Sequence, residues 1–115
     1  MDVQRWHEEP VDQLNPLLGR QVIHTEGMTL ARIILAKGCV VPSHQHPNEQ
    51  IATVLSGRLR FRVGDDEQEV VPGESVAIPA NVSHEVEALE DSVVMDAFAP
   101  VREDWVRGDD AYLRG

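Results

Sequence analysis

The chain has 115 residues, 42% apolar and 26% charged; these values fit one folded domain and exclude a disordered chain or a second core, which needs roughly twice that length. Twenty acidic residues against ten basic give a net charge of −10, which repels phosphate backbones and anionic membranes and argues against a nucleic-acid or membrane partner. No apolar run approaches the roughly twenty residues of a membrane span, the opening MDVQRWHEEP lacks the apolar stretch of a signal peptide, and the single Cys39 has no internal disulfide partner, so a cytoplasmic location is expected.

Residues 1–19 read as an N-terminal arm, with Trp6, Pro10 and Pro16 and a solvated His7. From residue 20 to 100 the pattern changes to short β-branched runs broken by glycine and proline about every ten residues, an all-β rhythm. The expected strands are Arg20 to Thr25, Thr29 to Ala36, Gln50 to Leu55, Arg58 to Val63, Glu67 to Val71, Ser75 to Ile78, His84 to Leu89 and Ser92 to Phe98. The turns are Ser56-Gly57, Gly64-Asp65-Asp66, Pro72-Gly73, Pro79-Ala80-Asn81 and Glu90-Asp91. Arg58, Arg60 and Arg62 alternate with Leu59, Phe61 and Val63, which predicts one wet and one dry face. Leu30 to Leu35 and Ile51 to Leu55 are apolar on both faces, and such a surface asks for a cover. A homodimer, with the arm crossing to the partner, is the expected cover; the alternative is the arm folding back on its own barrel. His24 reads as a strand residue and Cys39 as a small buried filler. Residues 101–115 form a C-terminal segment.

Within this pattern His44 and His46 lie two apart, so on extended backbone both imidazoles point to one side, and the same parity reaches Gln50 while turning Glu49 away. His84, opening its own strand after Pro79-Ala80-Asn81, supplies the fourth ligand. Three imidazoles and one amide oxygen suit a borderline divalent ion, zinc, nickel, iron or manganese, with positions left open for water or substrate. An amide in place of a carboxylate leaves the ion its full charge and makes it the stronger Lewis acid, which favours redox-neutral chemistry.

Asp96 and Phe98 share a face of the last strand, and Arg102 follows four residues later. An aspartate on an otherwise apolar strand needs a partner or a purpose: it is either a structural acceptor or a general acid/base that desolvation tunes. Phe98 is either core or pocket wall. Arg102 is either a surface charge or a bidentate clamp for a substrate carboxylate. With two Phe, two Trp and one Tyr in the chain, an aromatic-lined pocket is not expected.

The spacing of Gly38, His44, His46, Gln50 and Gly57, and then of Gly73, Pro79 and His84, resembles the two motifs of the cupin superfamily over about residues 20 to 100, with Gln50 where glutamate is usual and Asn81 where glycine is usual. The resemblance implies a double-stranded β-helix, a jelly-roll barrel. The stretches HPNEQIATVLSGRLRF, ALEDSVVMDAF and PVRED are similar to those of the KdgF family, single-domain cupins with a three-histidine, one-glutamine metal site. This second resemblance implies a metal-dependent enzyme that opens cyclic 4,5-unsaturated uronates to linear 4-deoxy-5-keto uronates in pectin and alginate degradation. It also implies functional roles for Asp96, Phe98 and Arg102 and a small carboxylated sugar as partner. The alternatives are a polyketide-cyclase-like or oxygen-using cupin acting on an aromatic or diketone, and a non-catalytic sugar-binding cupin.

Overall fold

The computed structural model describes residues 1–114; of the expected C-terminal segment, Gly115 lies outside the described residues. Ten strands run β1 Asp12–Asn15, β2 Leu18–His24, β3 Thr29–Leu35, β4 Val40–His44, β5 Glu49–Ser56, β6 Leu59–Val63, β7 Asp66–Val70, β8 Ser75–Ile78, β9 His84–Ala88 and β10 Ser92–Ala99, followed by two short helices, α1 Glu103–Val106 and α2 Ala111–Arg114. All pairings are antiparallel. They build a six-stranded sheet in the order β1-β2-β3-β10-β5-β8 and a four-stranded sheet in the order β4-β9-β6-β7. Facing each other across one core, the sheets make the jelly roll that the cupin resemblance implies.

Period-two patterning explains which faces close on that core. In β3 Thr29, Ala31, Ile33 and Leu35 are buried while the residues between them are half-exposed. In β6 Leu59 and Phe61 are buried and Arg62 is exposed, the wet and dry faces the alternation predicts. The wet face is a charge ladder: Arg60 stands opposite Glu69 on β7 and Glu87 on β9, and Arg62 opposite Glu67 and Glu85; Arg60 pairs with Glu87 at 2.9 Å and, diagonally, with Glu67 at 3.3 Å, which Arg62 also approaches at 3.9 Å.

Two elements escape the sequence pattern. β4 contains Pro42, which cannot donate to a ladder, and the strand is tolerated because it lies at the edge of its sheet with its register shifted between Val41 and His44. β1, reading DQLN, is the polar edge of the larger sheet and buries only Leu14. Because β1 pairs with β2 of the same chain, and Gln21 Nε2 donates to the carbonyls of Trp6 and Glu9 at 2.6 and 2.8 Å, the arm lies on its own barrel rather than reaching away. Ile51 and Leu55 nevertheless stay 54% and 49% exposed.

Two turns hold the histidine strands in place. Gly57 sits at φ 86°, and a side chain there would collide with the Asp91 carbonyl and Ser92, so only glycine lets the β5–β6 turn approach the β9–β10 turn. Asn81 takes φ 63°, a left-handed conformation that asparagine tolerates, and its N–H donates to the His46 carbonyl at 2.8 Å.

Candidate metal centre

The ladder register assembles the site. His44 on β4 stands directly opposite His84 on β9, and Gln50 on β5 stands opposite Phe98 on β10, one inward position from Asp96. His46, in the loop that joins β4 to β5, closes the group. The His44 ring centroid lies 5.7 Å from that of His46 and 4.3 Å from that of His84, and the ligand nitrogens of the three lie within 4.8 Å of one another. Glu49 is exposed, as its parity requires.

Backbone carbonyls set the tautomer of each imidazole. His44 Nδ1 donates to the Pro42 carbonyl at 2.8 Å, His46 Nδ1 to the Asn48 carbonyl at 3.1 Å and His84 Nδ1 to the Val82 carbonyl at 2.9 Å. With the proton on Nδ1, each neutral ring presents an Nε2 lone pair to the centre. Burial holds the His44 and His46 rings neutral, their pKa values down at about 4, and lowers that of His84 as well.

The arrangement suits a cation. His84 Nε2 is buried without a hydrogen-bond partner, an expensive state for a polar atom, and His46 Nε2 faces the Gln50 carbonyl oxygen Oε1 at 3.1 Å, acceptor against acceptor. The Gln50 amide is oriented from its other end, where Nε2 donates to Asp96 Oδ1 at 3.0 Å. Three lone pairs and an amide oxygen with no proton to share fit a divalent ion. The orienting bond also gives glutamine a reason beyond charge: a carboxylate at position 50 has no N–H to offer Asp96. Inside the cavity, desolvation raises the Asp96 pKa to about 7, against the opposing pull of the Gln50 hydrogen bond and the Arg102 charge.

Phe98 and Arg102 are both buried here. Phe98 meets the His46 ring edge-on at 5.6 Å, and the Arg102 guanidinium lies over the Phe98 ring at 4.7 Å and the Trp105 ring at 4.1 Å. Arg102 is 1% exposed, so it is no surface charge, yet its fork is already engaged: Nε and Nη2 donate to the two carboxylate oxygens of Asp104 at 3.0 and 2.8 Å, and Nη2 also to the Tyr112 hydroxyl at 2.8 Å. Only the Nη1 corner stands outside these bonds. The remaining residues fall as the sequence suggests: His7 is exposed, His24 ends β2 with Nδ1 2.7 Å from Thr29 Oγ1, and Cys39 is buried.

The cavity behind the centre holds about 60 Å³ and is walled by Phe61, Phe98, Trp105 and Tyr112 together with His44, Gln50, His84, Asp96 and Arg102. Four of the five aromatic residues therefore line it, and the expectation that so few aromatics cannot make an aromatic pocket is overturned: the fold gathers them. Trp105 and Tyr112 come from the C-terminal helices, which the sequence reading left as an undifferentiated segment; the signal available was that two of the five aromatics fall in its last eleven residues. Asn48, also missed, donates from Nδ2 to the carbonyls of Pro100 and Val101 at 2.6 and 3.2 Å and so ties the His46 loop to the segment carrying Arg102.

That segment is clasped to the barrel by an ion network. Arg20 Nη2 donates to Asp110 Oδ2 at 2.9 Å and Asp12 Oδ2 at 3.2 Å, while Arg114 bonds both aspartates; the Arg20 guanidinium also lies over the Trp105 ring at 4.6 Å. Hydrogen bonds from Arg114 and Arg20 hold the Asp110 carboxyl below the usual range. A depressed carboxylate adds stability above its unfolded pKa of about 4 and loses it as pH falls through the folded value. Asp110→Asn is thus expected to cost about 3 kcal/mol at pH 7, the scale of a broken buried pair, and much less at pH 3; thermal unfolding at the two pH values measures the difference.

Residues 31–98 match the Cupin_2 family, the cupin domain, and the chain belongs to that family. Among solved structures it is similar to KdgF from Halomonas sp., at 28% identity over 91% of this chain and 98% of that one with a TM-score of 0.87. The fold is shared with an RmlC-like cupin from Shewanella frigidimarina, 22% identical over 91% and 96% of the two chains with a TM-score of 0.86. It is shared too with the Mn(II)-containing oxalate decarboxylase of Bacillus subtilis, 16% identical over 87% of this chain and 30% of that one at 0.75. No curated protein matches the chain significantly. Among the described residues no helix is long and apolar enough to cross a membrane.

Proposed function

We propose that the protein is a metal-dependent enzyme that converts cyclic 4,5-unsaturated uronate monomers to linear 4-deoxy-5-keto uronates. The observation that carries this reading is the convergence of three Nε2 lone pairs and the Gln50 oxygen on one cavity that also holds Asp96 and Arg102. The likeness to KdgF over nearly the full length of both chains supports it. His44, His46, Gln50 and His84 would hold the ion, zinc, nickel, iron or manganese; when bound, it supplies Lewis acidity toward a substrate oxygen.

The reaction is an isomerisation. The proton of the C1 hydroxyl leaves, the C1–O5 bond breaks as C1 becomes an aldehyde, O5 becomes the C5 ketone, and C4 of the former double bond takes a proton, with no atom gained or lost. Asp96 uses Oδ1 to hold Gln50 and keeps Oδ2 for the travelling proton. Arg102 offers charge and Nη1 to the substrate carboxylate, and Phe98 seats the guanidinium. A second copy of the chain covering Ile51 and Leu55 belongs to the same reading. Purified, metal-loaded protein is expected to accelerate loss of the ultraviolet absorbance of the unsaturated monomer well beyond the spontaneous rate; equal rates with and without protein reject the activity.

The aromatic lining favours a second reading, a cupin acting on an aromatic or diketone substrate. Oxygen uptake by the iron-loaded protein with candidate diketones separates it from the first.

A further inference from the structure

Tyr112 stands at the metal centre with a one-sided hydrogen-bond pattern. Its hydroxyl oxygen accepts from Arg102 Nη2 at 2.8 Å and from Trp105 Nε1 at 3.3 Å. Guanidinium and indole are donors only, so both places on the oxygen are used as acceptor and the hydroxyl proton is left for a third group. Among the described residues no protein acceptor takes it. Donors at an oxygen polarise its own O–H and make it the better donor.

Placement gives that proton a destination. The Tyr112 ring lies 4.9 Å from the His44 ring, and the residue lines the cavity beside Gln50, His84, Asp96 and Arg102. The segment is held there from both sides, by Asn15 Nδ2 donating to the Leu113 carbonyl at 2.8 Å and by Arg114 bonding Asp12 and Asp110.

We propose that Tyr112 is a substrate-contacting residue whose hydroxyl donates a hydrogen bond to an oxygen of a carboxylated sugar held at the metal centre, next to the charge of Arg102. The inference rests on the uronate reading for its ligand class and adds a specificity contact that requires an oxygen acceptor. An apolar ring in the same place leaves the phenol proton unpaired, which disfavours it.

Tyr112 is the one tyrosine in the sequence, so biosynthetic 3-fluorotyrosine labels this position alone. The probe is D-galacturonate, a saturated uronate that cannot form the 5-keto product, added to the zinc-loaded protein, which is diamagnetic. The fluorine resonance is expected to shift and saturate with the binding isotherm measured by calorimetry, and Tyr112→Phe, with zinc stoichiometry retained, to weaken binding ~10-fold. The inference is overturned if the resonance stays fixed while the probe binds, if the wild type binds no uronate at millimolar concentration, or if Tyr112→Phe only lowers the melting temperature and binds as tightly per folded molecule. A shift without turnover of the unsaturated monomer rejects the proposed activity and leaves the Tyr112 contact standing; turnover with a fixed resonance does the reverse.

Discussion

His84→Ala is expected to lower metal affinity by ~10²-fold or more, since even groups that merely orient a ligand are worth 10- to 100-fold. The expectation follows from the state of the ring: its Nδ1 is committed to the Val82 carbonyl, while its Nε2 is buried with no protein partner. Removing it deletes a lone pair that only a cation uses. Metal content by elemental analysis should fall with no matching loss of secondary structure, and His44→Ala should behave alike. Stoichiometric metal in the His44→Ala/His84→Ala double variant would show that other residues are the ligands. Gln50→Glu should retain metal, yet it sets a second carboxylate against Asp96 where Gln50 Nε2 now donates, and turnover should slow.

Asp96→Asn keeps size and an oxygen that can accept from Gln50, but it cannot take up a proton. Turnover of the unsaturated monomer is expected to fall ~10²-fold, the usual worth of a general acid/base, with metal content unchanged. Stability should move in the opposite sense to that of a structural aspartate. Burial raises the Asp96 pKa to about 7, above an unfolded value of about 3.9; the folded chain holds this proton more tightly, and stability is lost as pH rises through about 7. In metal-free protein the asparagine variant should therefore melt higher than wild type, by more at pH 8 than at pH 4. A lower melting temperature with full activity per folded molecule would remove Asp96 from the chemistry. Arg102 offers a less clean test than its sequence position suggests, because alanine there also strands Asp104 and empties the space over Phe98 and Trp105.

What the sequence discloses about this fold is what period-two patterning and turn chemistry can carry. β3, β5, β6 and β10 announce themselves by β-branched runs between glycines, and parity alone selects His44, His46 and Gln50 over Glu49. β1 and β4 are silent because an edge strand needs neither apolar alternation nor an unbroken row of donors, so DQLN and VVPSH read as loop. The far wall of the site is silent for another reason: it is made by pairings such as Arg20 with Asp110, 90 positions apart, and no local pattern records them. The guanidinium of Arg102 illustrates the limit. Its position is legible, but its engagement by Asp104 and Tyr112 depends on how two four-residue helices settle on the barrel.

The clasp around Arg20 has a further consequence. One guanidinium joins Asp12 of the arm to Asp110 of the C-terminal segment, and Arg114 reaches back to the same Asp12, so detaching either segment breaks ion pairs that also hold the other. The arm is thereby tied to the segment that supplies Trp105 and Tyr112 to the site wall, and a substitution at Asp12, far from the histidines in sequence, is expected to loosen that wall.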